Sequence, residues 1–142
     1  MGKYNILDAD LSAYTVLLAD DIELNLVMLR KMLSRYNFKV VTALNGREVL
    51  ERMSEYKPSL LILDLMMPVL NGYEVISKVR ETPEYSSMRI VVMSALNTND
   101  SVERSLSLGA NDFIPKPILM ERLYDTVSRQ FEAVLAMGDV AE

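Results

Sequence analysis

From residue 15 onward the hydrophobic positions fall into two rhythms that take turns. Short unbroken runs, "TVLLA" (15–19), "FKVVTA" (38–43), "SLLIL" (59–63), "RIVVM" (89–93) and the brief "DFI" (112–114), have the length and β-branched content of strands. The longer segments between them repeat apolar residues at helical spacing. Ile22, Leu26, Leu29 and Leu33 share one helix face, Val49, Leu50 and Met53 a second, and Val75, Ile76 and Val79 a third. Val102, Leu106 and Leu108 mark a fourth helix, with Gly109 as its C-terminal stop. The fifth begins near Leu119, carries Leu123, Val127, Phe131 and Val134, and is expected to end near residue 136.

A strand–helix pair repeated five times predicts an α/β fold. Strands apolar on both faces predict a parallel sheet covered by helices on each side. With right-handed crossovers, five strands predict the doubly wound order 2-1-3-4-5, flavodoxin-like, with its functional crevice between strands 1 and 3. Residues 1–14 read as a polar leader, 15–136 as the domain, and 137–142 as a tail or the start of a linker. No internal linker, low-complexity segment or further repeat interrupts the alternation.

In such a sheet the C-terminal ends of all strands lie on one edge, and ligands bind there. The first run is followed by Asp20-Asp21, the third by Asp64, the fourth by Ser94-Ala95 and the fifth by Lys116-Pro117. Adjacency of strands 1 and 3 brings the three aspartates together. Asp64, set in "LLILDLMMP", is a carboxylate in apolar surroundings, which is costly without a partner. Three carboxylates in one pocket also repel one another. A hard divalent cation removes that repulsion, and Mg²⁺ suits the task because it takes one or two carboxylates, waters and a phosphoryl oxygen. The cation and the Lys116 ammonium together neutralise the trio. An incoming phosphoryl group can then be held by the metal, Lys116 and the Ser94 hydroxyl. Singly, each residue has a plainer role: Asp21 as a helix N-cap, Asp64 as a turn residue, Ser94 as a cap or turn former, Lys116 as a solvated cation and Phe113 as core. Their joint placement on one edge is what favours the chemical reading.

Composition narrows the chemistry further. The 142 residues suffice for one core and are too few for two ordinary domains. There is no cysteine, hence no disulfide, thiol nucleophile or zinc–thiolate site. There is no histidine either, hence no imidazole base and no Ser-His-Asp triad. Any phosphohistidine must come from another molecule. The net charge of −5 argues against direct nucleic-acid binding. No apolar run approaches the ~18 residues of a membrane span, and the start "MGKYNILDAD" lacks the features of a signal peptide. A cytoplasmic location without membrane contact is the expectation.

The motifs "LLADD", "LILDLMMPVLNGYE", "VVMSA" and "FIPKPI", in this order and at these intervals, resemble the receiver domain of two-component response regulators, the CheY-like superfamily, over about residues 15–134. The form "ADDIELNLVMLRKML" is more similar to receivers of hybrid kinases and multidomain regulators than to the chemotaxis receiver. The resemblance implies a phosphoacceptor signalling module that catalyses only its own phosphorylation and dephosphorylation. By position it implies Asp64 as phosphoacceptor, with Asp20, Asp21 and the Met66 backbone carbonyl as Mg²⁺ ligands. It implies Ser94 and Lys116 as phosphoryl contacts, a small Ala95 leaving room for the group, and a cis Lys116-Pro117 bond. Phe113 matches the switch aromatic, whose ring turns inward when Ser94 moves. Met67-Pro68 and Gly72 match the loop after the phosphorylation site. The implied partners are a histidine kinase or phosphotransfer protein, and an output domain or effector, with Val102, Leu106, Phe113 and Tyr124 near the output face. A homodimer through the face of the fourth helix, fifth strand and fifth helix is a further implied partner.

Departures from the pattern are few. Asn71 stands where Asp is frequent, and either suits the turn before Gly72. Pro115 removes a strand donor, so the fifth strand is expected to be short. Met66 and Leu96 occupy positions that tune dephosphorylation in the family; both are apolar, which predicts slow autodephosphorylation, and a half-life of seconds would contradict it. Three other readings compete. A flavodoxin-like electron carrier needs a phosphate-cradling loop after strand 1, where this chain has two acids. A haloacid-dehalogenase-like phosphatase wants a second Asp two residues after the nucleophile, where this chain has Met66. A non-phosphorylated receiver-like scaffold or dimerisation module usually lacks an acid or the lysine, and this chain keeps them all.

Overall fold

The computed structural model describes Ile6 and residues 9–141, with side chains to Met137. Strands β1 (Thr15–Ala19), β2 (Lys39–Ala43), β3 (Leu60–Leu63), β4 (Arg89–Ser94) and β5 (Asp112–Pro115) form one parallel sheet in the order β2-β1-β3-β4-β5. Helices α1 (Glu23–Met32), α2 (Gly46–Tyr56), α3 (Gly72–Glu81), α4 (Asn99–Leu108) and α5 (Met120–Ala141) cover its two faces. This is the flavodoxin-like order that the alternating rhythms predict. Alternation within each strand divides the core into two clusters. Val16 and Leu18 of β1 pack with Leu26, Leu29 and Phe131, from the α1–α5 side. Leu17 and Ala19 pack with Val49, Val75 and Ile76, from the α2–α3 side.

Register sets the strand ends level. Ala19 pairs with Leu63, and Ser94 with Pro115. The next residue along three strands then extends the backbone ladder. Asp20 N–H donates to Ala43 O (3.2 Å), Asp64 N–H to Ala19 O (3.0 Å) and Lys116 N–H to Ser94 O (3.0 Å). Each of these side chains therefore stands on a peptide already fixed by the sheet.

The opposite edge is tied by Arg80, in the last turn of α3. Its guanidinium donates to the carbonyls of Gly109 (2.9 Å), Met88 (2.7 Å) and Ser86 (3.2 Å) and to Asn111 Oδ1 (2.9 Å). Asn111 Oδ1 also accepts the Ile90 N–H at 2.8 Å. One side chain thus binds the entries to β4 and β5 and the end of α4, where Gly109 takes a φ of 123° and stops the helix as its sequence position predicts.

Four elements differ from the periodicity reading. Ile22 lies outside the α1 stripe: it precedes the helix and is 54% exposed. Helix α4 buries Ser101 and Ser105, while Leu106, expected on its core face, is exposed. Helix α5 runs to Ala141 rather than ending near 136. The segment read as a polar leader sends Leu11, fully buried, and Ile6 into the α1–α5 core cluster, and Leu11 N–H donates to Asn37 Oδ1 at 2.7 Å. The rest of residues 1–8, and Glu142, lie outside the described residues.

Candidate functional site

The level strand ends place Asp20, Asp21 and Asp64 together, each offering a carboxylate oxygen within 4.8 Å of the others. Asp20 and Asp64 are buried and Asp21 is exposed. Asp21 is not a helix cap: the N-cap position of α1 is Ile22, with no side-chain cap bond, so the plain explanation for this acid falls away. Asp20 is held on both oxygens. Oδ1 accepts the Ile22 N–H (2.9 Å), and Oδ2 accepts from Asn25 Nδ2 (3.2 Å) and Lys116 Nζ (2.8 Å). Asp64 Oδ1 accepts the Met66 N–H (3.1 Å), and Oδ2 accepts from Lys116 Nζ (3.1 Å).

Lys116 therefore bridges the two buried acids, Asp20 and Asp64. Partial burial pulls its pKa down, but the hydrogen bonds and charges of Asp20 and Asp64 outweigh burial and hold it above the ordinary lysine value. Three carboxylates against one ammonium leave two negative charges, those that one divalent cation balances. All three donors are hard oxygens, the set that Mg²⁺ takes. The residues present thus fit the metal that the sequence implies.

The surrounding residues shape this pocket. Ser94, at the end of β4, is fully buried, and its hydroxyl accepts the Leu96 N–H at 3.1 Å. Ala95 beside it is exposed, the Lys116-Pro117 bond is cis, and the Met66 side chain points out, 59% exposed. After Asp64 the chain makes a tight turn, Leu70 N–H to Pro68 O (2.8 Å), with Val69 at a φ of 70°. It then enters α3 through a capping box: Asn71 Oδ1 accepts the Glu74 N–H, and Glu74 Oε1 accepts the Asn71 N–H. Gly72 is needed here, since a Cβ would lie 2.6 Å from Leu65 Cα.

Two expected positions differ. The Phe113 ring is already buried, in the cluster that Leu96 and Val102 border. Tyr124 faces α1 instead of an output surface: its hydroxyl donates to Met32 O (2.9 Å), and Arg35 stacks over its ring. Sequence reasoning missed Asn25 and the main chain of Leu96. Asn25 was findable, since helical spacing turns it toward the strand end. The bonds of Leu96 run through its backbone, which carries no residue-type signal.

Residues 16–128 match the response regulator receiver domain family. The chain belongs to that family. Among its relatives, the receiver is 36% identical to two-component response regulator ORR11 of rice (Oryza sativa), over 84% of this chain and 80% of that one. It is 29% identical to a probable cyclic di-GMP phosphodiesterase of Vibrio cholerae, over 83% of this chain, and spans only 26% of that protein's length. Among solved structures, the signal receiver domain of a putative LuxO repressor protein from Vibrio parahaemolyticus superposes with a TM-score of 0.82 at 25% identity, covering 91% of this chain and 97% of that one. Response regulator receivers are phosphoacceptor signalling modules, and the acidic edge of this receiver is consistent with that chemistry.

Proposed function

We propose that Asp64 accepts a phosphoryl group from a phosphohistidine on a histidine kinase or phosphotransfer protein. The observation that carries this reading is Lys116, which bridges the two buried acids of a trio whose remaining charge fits one divalent cation. Asp20, Asp21 and Asp64, with the Met66 carbonyl, would hold Mg²⁺, which supplies charge neutralisation for the transferring oxygens. An Asp64 carboxylate oxygen attacks phosphorus in line. The P–N bond breaks, and its electron pair stays on the donor imidazole. The Met66 N–H and the Lys116 ammonium fix the Asp64 carboxylate for that attack. Lys116 and the Ser94 hydroxyl then take the phosphoryl oxygens, and the exposed Ala95 and Pro117 leave the approach clear.

These 142 residues carry no histidine, so the donor imidazole lies outside them. Exposed apolar side chains around the acids, Ile22 and Leu24 on one side, Met66 and Val69 on another, Leu119 and Met120 on a third, support a protein donor. Output passes to an effector or a following domain through the α4–β5–α5 face, with Phe113 and Ser94 as its switch residues; that face is also the one proposed for a homodimer. No helix among the described residues is long and apolar enough to cross a membrane, and we place the receiver in the cytoplasm. The domain proposed is wider than residues 15–136: it takes in the segment of the buried Leu11 and the whole of α5. Incubation with a small phosphodonor and Mg²⁺, read by intact mass, is expected to add one phosphoryl group to the wild type and none to Asp64→Asn. No addition to the wild type, or equal addition to the variant, overturns the reading.

A further inference from the structure

The main chain of Leu96 is clasped between two serine hydroxyls. Its N–H donates to Ser94 Oγ at 3.1 Å, and its carbonyl accepts from Ser101 Oγ at 2.9 Å. Ser101 also lies 2.9 Å from Thr98 O, but that carbonyl already accepts the Val102 N–H at 3.0 Å. Among the described residues Leu96 O has no other donor, so the single Ser101 proton is better placed there. Ser101 is buried, on the α4 face that meets the core although its residues read as polar. A hydroxyl there is a poorer core filler than a methyl group, and its place is explained by the carbonyl it satisfies.

The consequence reaches the site. A hydroxyl accepts through its lone pairs and donates one proton. The Leu96 N–H occupies an acceptor position on Ser94 Oγ, and among the described residues the Ser94 proton has no acceptor of its own. Ser94 is fully buried, so that proton does not point into bulk water. It is set for an oxygen arriving at Asp64.

We propose that Ser101 is a positioning residue for phosphoryl binding: by fixing the Leu96 carbonyl, it fixes the Leu96 N–H that orients the Ser94 hydroxyl. This rests on the reading of Ser94 as a phosphoryl contact. Ser101 acts through Leu96 and Ser94 and touches neither metal nor phosphoryl group. Orientation is set before the ligand arrives, so losing it weakens ligand binding and leaves cation binding as it was.

The test is binding of beryllofluoride, a phosphoryl mimic, at saturating Mg²⁺, with Mg²⁺ affinity measured separately. Ser101→Ala is expected to bind beryllofluoride about fivefold more weakly, on the scale of one neutral hydrogen bond, with Mg²⁺ affinity unchanged. Ser101→Thr, which keeps the hydroxyl, is expected to restore affinity. Ser105→Ala removes a hydroxyl bonded only back to Ser101 O, and is expected to match the wild type. In a Ser94→Ala background, Ser101→Ala is expected to have no further effect, because its route is gone. Should Ser101→Ala fail to fold, Ser101→Cys keeps the volume with a weak donor, and the same loss is expected. Unchanged or tighter binding by the folded variant, or an equal loss in the Ser94→Ala background, overturns the inference alone. A wild type that takes no beryllofluoride overturns the reading of the site and this inference with it.

Discussion

Lys116 Nζ lies 2.8 Å from Asp20 and 3.1 Å from Asp64, and it is the one cation within the acidic trio's hydrogen bonds among the described residues. Replacing it with methionine leaves the carboxylates facing one another. Lys116→Met is expected to lose about 2–3 kcal/mol without metal and to gain more from added Mg²⁺ than the wild type does; matched urea titrations check both. The pH dependence follows from the raised lysine pKa. Folding binds this proton more tightly than unfolding does, so its stabilisation is complete below the unfolded value, about 10.4. It is lost only as pH climbs through the higher folded value. No loss through Lys116 is expected across the neutral range. Val69 is the second residue of note. A β-branched residue at a φ of 70° is strained, and its side chain is 67% exposed, so little packing offsets the cost. Val69→Asn is expected to raise stability by about 1 kcal/mol, read from the urea midpoint. At this scale the acids and the lysine were legible, because strand ends in a parallel sheet share an edge. The strained turn was not, because nothing in "PVLNG" asks valine to adopt a positive φ.

Helix α4 is the element that periodicity misplaced. Its apolar residues were few, and the serines at 101 and 105, four apart, read as a polar face although they are the buried one. Their hydroxyls bond to backbone carbonyls, which satisfies them inside the fold. In α3 burial follows spacing: Val75, Ile76 and Val79 are fully buried. The contrast is measurable. Leu106→Gln, on the exposed side of α4, is expected to change stability by less than about 0.5 kcal/mol. Ile76→Ala on α3 is expected to cost about 3–4 kcal/mol. Both come from urea unfolding, and a large loss at Leu106 would return α4 to the orientation that its apolar spacing suggests.

Across the whole molecule, strand order and the two-sided core follow from five apolar runs too short and too oily for a one-sided sheet. The contribution of the segment before β1 was hidden. Ile6 and Leu11 stand five residues apart, a spacing that fits neither strand nor helix, and Asp8 and Asp10 give the segment between them a polar look, so it does not read as core. Leu11 is nonetheless fully buried in the cluster that holds Phe131 and Val134. Leu11→Ala is expected to destabilise the domain by about 3 kcal/mol, measured by urea unfolding; a change below about 1 kcal/mol would return residues 9–14 to the status of an appendage.

Arg80 gives the receiver an asymmetry like that of a book bound along its spine. Four acceptors from two separate segments, 86–88 and 109–111, are stitched to one guanidinium beneath the sheet. Above it, the pages are the loops around Asp64, each attached at the strand it leaves. A covalent mark written on those pages has little slack to absorb it at the spine. Under the proposed function, the disturbance is expected where the leaves part, among the segments following β3, β4 and β5, with the far margin keeping its place.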